Sequence, residues 1–225
     1  MHTRTLSTVI FAFALLTLTS QAALHITGIF DGPLSGGTPK GIELYASDNI
    51  ADLGAYAVGT ANNGGGTDGA EFTLSGSATA GDYIYVVANG NEDEFTSFLG
   101  GSATFASSAL GINGDDAIEL FNITDGSPSV IDTFGVIDVD GNGENREYMD
   151  GWAYRNTVTA GGAFTASDWT FSGANAWDGA TSNASSDSVM PIGTFTTTPV
   201  PEPSTYALLV GLLGLSYTLN RRRRA

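Results

Sequence analysis

The chain has 225 residues, a formal net charge of −16, only 14% charged residues, 30 glycines, and 12 Phe, 8 Tyr and 3 Trp. Disordered acidic chains are poor in aromatics, so this composition indicates one folded, turn-rich β domain with a real core. Cysteine is absent, which excludes disulfides, thiol chemistry and Cys-based zinc sites.

The chain opens with Met1-His2-Thr3-Arg4, an apolar run from Val9 to Leu18, and Ser20-Gln21-Ala22. A positive segment, a short apolar segment and small residues before a cut after Ala22 are the three parts of a removable secretory signal, assigned to 1–22. The apolar run is short for a membrane span.

Short strands separated by Gly, Asn and Asp turns are expected next. Leu24 to Phe30 and Gly41 to Ala46 alternate in the strand manner. Ala55 to Val58, Glu71 to Leu74, Asp82 to Ala88, Ala117 to Phe121, Val130 to Val136 and Tyr148 to Arg155 complete the set. Glu92 to Leu99 is predicted helical, with Glu92, Asp93 and Glu94 in its first turn. The fold class read from this is all-β, a β-sandwich.

Asp138-Val139-Asp140-Gly141-Asn142-Gly143 matches the D-x-[DN]-x-[DN]-G opening of a calcium loop. Alternate oxygen-bearing side chains in a glycine-bent loop converge on a hard cation, which makes Asp138, Asp140, Asn142 and Glu144 the candidate Ca2+ ligands. Met149 stands where an EF-hand has its bidentate Glu, so the loop is not an EF-hand. The competing reading is a solvated turn. Asn113-Gly114-Asp115-Asp116 reads as a turn into the next strand. Tyr148, Trp152, Tyr154, Trp169 and Trp177 concentrate aromatics that serve either as core or as a sugar-stacking platform, core being the favoured reading.

Catalytic readings have little to stand on. His25 is the one histidine outside the signal segment, and no G-x-S-x-G, P-loop or dinucleotide fingerprint is present. No catalytic residue is assigned, and a secreted hydrolase stays an alternative because 23 acids always supply some carboxylate pair.

Residues 179–199 read as a Ser/Thr-rich linker. Beyond them come Val200-Pro201-Glu202-Pro203-Ser204-Thr205, an apolar stretch from Tyr206 to Leu219, and Arg221, Arg222, Arg223 and Arg224. The prolines make a stiff extended segment, the apolar stretch a short C-terminal helix, and the arginines a membrane stop on the cytoplasmic side.

This tail, residues 200–225, resembles the PEP-CTERM sorting signal of Gram-negative bacteria, with its three parts in order. The resemblance implies an exosortase-type protease as partner, transient residence in the inner membrane as an anchored precursor, and delivery to the outer surface or an exopolysaccharide biofilm matrix. The middle of the chain, 23–178, resembles bacterial secreted lamin-tail domains. The matching pieces are Lys40-Gly41-Ile42-Glu43-Leu44-Tyr45, Asp52-Leu53-Gly54-Ala55-Tyr56, Ala80-Gly81-Asp82-Tyr83-Ile84-Tyr85-Val86, Asn113-Gly114-Asp115-Asp116-Ala117-Ile118-Glu119-Leu120 and Ile131-Asp132-Thr133-Phe134-Gly135. That resemblance implies an immunoglobulin-like β-sandwich.

Lys40, Arg146 and Arg155 are the basic residues between 23 and 200, against 23 acids, so this region carries 3 − 23 = −20. Such a domain repels nucleic acid and attracts cations. The function expected is a non-catalytic surface or matrix protein in adhesion, matrix structure or ligand binding. A calcium-stabilised carbohydrate-binding module is the alternative beside the hydrolase.

Overall fold

A computed structural model describes residues 23–157, 162–197 and 211. The signal segment, the Pro-Glu-Pro motif and the terminal arginines lie outside the described residues, as does the apolar stretch apart from Gly211. No helix among the described residues is long and apolar enough to cross a membrane.

The described chain is mostly β, with two sheets. Ten strands form: β1 Leu24–Leu34, β2 Thr38–Ala46, β3 Tyr56–Ala61, β4 Phe72–Thr73, β5 Tyr83–Ala88, β6 Phe105–Ser107, β7 Ala117–Asn122, β8 Ser129–Phe134, β9 Gly151–Arg155 and β10 Trp169–Phe171. The six-stranded sheet has the order β10-β9-β1-β2-β5-β6, and the four-stranded sheet the order β4-β3-β7-β8. Pairing is antiparallel except between β5 and β6. That parallel pair is joined through the helix α1, Glu92–Leu99, as a parallel connection requires a crossover. Three acids occupy the first turn of α1, and Gly100 ends it in the left-handed conformation.

Alternation sorts side chains between two cores. Ile26, Ile42, Leu44, Val58, Ile84, Val86, Ile118, Leu120 and Phe134 fill the space between the sheets. Phe30, Tyr45, Val87, Trp152 and Tyr154 emerge on the opposite face of the larger sheet and form a second core with Phe95 and Phe98 of α1. Parity in β1 changes at a bulge. Ile26 pairs with Leu44 but Gly28 with Glu43, so Thr27 is the extra residue. The bulge keeps both Ile26 and Ile29 on the inter-sheet core and turns Gly28 and Phe30 outward.

The segment read as a linker is packed in its described part. Asn183, Met190 and Phe195 are buried in it, next to the fully buried Trp177 that precedes it. Residues 177–195 form a C-terminal strap across the second core, so the folded unit extends past residue 178.

Candidate functional site

Three places gather polar chemistry. The first is at one end of the four-stranded sheet, where the loops 62–66, 113–116 and 136–147 meet. Asp116 is buried, its carboxylate accepting from the backbone N–H of Asn63 at 2.9 Å and of Asn113 at 3.1 Å. Tyr148 donates its hydroxyl to the Asp116 carbonyl at 3.1 Å. Gly64 has φ +69, and a Cβ there would stand 2.3 Å from the Asp140 nitrogen, so only glycine lets the two loops touch. Burial, followed by the charges of Asp116 and Asp140, pushes the Asp115 carboxyl above its usual range. Burial likewise raises Asp116, against the N–H groups of Asn63 and Asn113.

The four candidate calcium ligands lie in this region, and all are exposed. Asp140 accepts from the Asn142 N–H at 2.9 Å, as in a local turn. Glu144 stands 3.8 Å from Arg146, which also donates to the Val139 carbonyl at 2.7 Å. The Gly143 N–H is taken by Glu147 at 2.8 Å. Among the described residues no group of three or more His, Cys, Asp or Glu is placed to hold a metal. The loop thus brings Asp140 toward Asp115 and Asp116, a neighbourhood that sequence spacing did not indicate.

The second place joins the sheets. Arg155 of β9 makes two hydrogen bonds to Asp132 of β8, at 2.7 and 2.8 Å, and both side chains are almost fully buried. The guanidinium lies over Trp169, 4.7 Å from the ring centroid. Asp132 also accepts from the Ile26 N–H of β1 at 2.8 Å. Beside this pair, His25 is buried, with Nε2 3.1 Å from Ser47 Oγ. Burial lowers its pKa. Ser47 Oγ also lies 3.3 Å from the Ala23 carbonyl. The Asp132 carboxylate that would orient a catalytic imidazole is instead spent on Arg155 and the backbone.

The third place is the strap. Trp152 and Trp177 both donate their indole N–H to the Ser188 carbonyl, at 2.9 and 2.8 Å. The Asn183 amide brackets Met190, donating to its carbonyl at 2.9 Å and accepting its N–H at 2.8 Å. Glu43 is fully buried beneath residues 193–195. Its carboxylate accepts from Thr27 Oγ1 at 2.7 Å, the Tyr154 hydroxyl at 3.0 Å and the Gly193 N–H at 2.6 Å. The Tyr154 oxygen accepts in turn from the N–H groups of Thr194 and Phe195, at 3.1 and 2.8 Å. Tyr83 donates to the Phe195 carbonyl at 2.6 Å. The aromatics of the sugar-platform reading are buried: Tyr148, Trp152, Tyr154, Trp169 and Trp177 are each 6% exposed or less.

Glu43 was not singled out by sequence reasoning. The available signal was its place between Ile42 and Leu44 in an alternating strand, which puts it on the face away from the inter-sheet core. Compared with known proteins, the chain matches no family model, no curated protein and no solved structure.

Proposed function

We propose that this chain is an exported, non-catalytic surface or matrix protein whose β domain, an immunoglobulin-type, lamin-tail-like sandwich, is delivered by a PEP-CTERM-type tail. The observation that carries the reading is the tail itself: Val200-Pro201-Glu202-Pro203, a 14-residue apolar stretch from 206 to 219, and Arg221 to Arg224 in that order. The packing of the domain is compatible with it. Its large aromatics and its strongest ion pair are spent on holding layers together, and the described chain is packed as far as Phe195, a few residues before the motif. An exosortase-type protease is the partner, with exopolysaccharide as the setting.

Intact-mass analysis of protein recovered from cells and from medium tests this. Loss of residues 1–22 and a C-terminus near Pro203 are expected. A retained Arg221–Arg224 tail on all of the protein would replace sorting with a simple anchor. Catalysis that disappears in Ser47→Ala would replace the non-catalytic reading with a secreted hydrolase.

A second reading, a calcium-stabilised carbohydrate-binding module, draws on one observation. Asp140 is close enough to Asp115 and Asp116 for its charge to disfavour their ionisation, and a bound cation relieves such crowding.

A further inference from the structure

Of the buried carboxylates among the described residues that no Lys or Arg pairs, Glu43, Asp116 and Glu119, Glu43 is the one bonded to the C-terminal strap. Lys40, Arg146 and Arg155 are the Lys and Arg residues among those described, and each is paired elsewhere: with Asp31 at 2.8 Å, Glu144 at 3.8 Å and Asp132 at 2.7 Å. Glu43 is fully buried and is held by neutral donors instead, among them the Thr27 and Tyr154 hydroxyls and the Gly193 N–H. Of its hydrogen bonds, the one from Gly193 comes directly from the strap and the one from Tyr154 connects onward to Thr194 and Phe195.

The groups facing it reinforce this. Tyr154 of β9 and Tyr85 of β5 reach its carboxylate, and Tyr83 of β5 feels its charge. Burial pushes the hydroxyls of Tyr83, Tyr85 and Tyr154 above their ordinary range, so they remain neutral donors. Tyr45 of β2 packs against Tyr83 and Phe195. β1 contributes Thr27, and His25 on that strand responds to Asp132, Arg155 and Asp48. The last part of the strap, from Ser188 onward, carries no charged side chain, and its earlier part carries Asp178 and Asp187. Helix α1 meets the sheet through Phe95 and Phe98, with Glu92, Asp93 and Glu94 in its first turn. Every formal charge in this neighbourhood that is not paired is negative.

We infer that Glu43 is a pH-sensitive latch for the C-terminal strap: residues 188–195 are held firmly when Glu43 is neutral and loosen when it ionises. Docking the strap strips water from the carboxyl, and without a cation nearby that desolvation weighs against the charged form. Burial does raise the Glu43 pKa, against the opposing donors Gly193, Thr27 and Tyr154. The proton is therefore bound more tightly with the strap docked than with the site open to water. By linkage, docking weakens as pH rises through the range in which the docked carboxyl loses its proton. Release would also free residues 178–195, which fully extended reach about 60 Å, and so lengthen the connection between the sheets and residue 200.

The test is hydrogen exchange by mass spectrometry on the full chain in mild detergent, at about pH 5 and about pH 8, each corrected for intrinsic exchange. Peptides covering 186–197 should lose at least about fivefold protection relative to peptides from β3 and β7, and Glu43→Gln should abolish that difference. Equal loss in strap and core peptides, or an unchanged pH response in Glu43→Gln, overturns the latch. Should Glu43→Gln fail to fold, Tyr154→Phe removes the hydroxyl linking Glu43 to Thr194 and Phe195. Its strap should already be poorly protected at the lower pH, and a strap as protected as the wild type there would overturn the proposal. The readout concerns the folded domain alone, so it does not depend on how the tail is processed.

Discussion

Single side chains in this domain are decided by who shares their burial. Asp31 and Asp132 are both almost inaccessible, yet they behave differently. Asp132 faces Arg155 in a two-pronged pair deep between the sheets, so removing either partner leaves a buried charge alone. Asp31 meets Lys40 at 2.8 Å at the edge of the β1–β2 hairpin, and burial outweighs that contact, pushing its carboxyl up to about 6. The folded state thus binds this proton more tightly than the unfolded chain does. The contribution of Asp31 to stability is therefore fully present below about pH 4 and is lost as pH rises through about 6. Urea unfolding across that range should give a falling midpoint, and Asp31→Asn should flatten that fall. An unchanged slope in the variant would assign the effect to the other buried acids.

At the scale of elements, local pattern and long-range packing made separate contributions. Helix α1 follows Glu92–Leu99 as the acids and apolar spacing predict, because its cap and its Phe95 and Phe98 face are local features. The strands around Ile42, Val86 and Leu120 were likewise legible from alternation. The three-residue strands β6 and β10 were not, since each is defined by the neighbour it pairs with and not by its own composition. The strap was hidden for a related reason. The serines, asparagine and glycine of 179–199 read as linker, yet Met190 and Phe195 bury apolar side chains there, next to Trp177. Trp177 packs edge-on to Phe98 at 5.0 Å between centroids and donates to Ser188. Trp177→Ala should therefore cost about 3–5 kcal/mol in urea unfolding and expose the segment after residue 177 to proteases. A loss below about 1 kcal/mol would mean the strap contributes little to the fold.

For the whole molecule, charge is the governing quantity. A region near −20 with three cations, all paired, carries a self-repulsion that counter-ions relieve. Salt should therefore raise the melting temperature without specificity. Calcium offers a sharper discrimination. If the loop from Asp138 to Glu144 takes Ca2+, millimolar calcium should raise the melting temperature above that of a sodium chloride control of equal ionic strength, and Asp140→Asn should remove the increment. Coincident melts in calcium and in that control would leave the loop as a solvated turn, consistent with the backbone bonds that Asp140 and Glu147 already make.

Read alone, the sequence determined the β-rich class, the position of α1, most of the strands and the acidic balance. All of these are written in composition or in short-range periodicity. The tertiary structure decided what periodicity cannot carry. It placed the bulge at Thr27, which assigns Phe30 to the second core and turns Gly28 toward Met190 and Tyr154. It brought Asp132 to Arg155, 23 residues away in sequence, and Gly193 to Glu43, 150 residues away. It also turned an apparent linker into the strap that buries Glu43. An alternating strand specifies which face a glutamate takes, but whether that face meets water or another part of the chain depends on a segment far along the sequence.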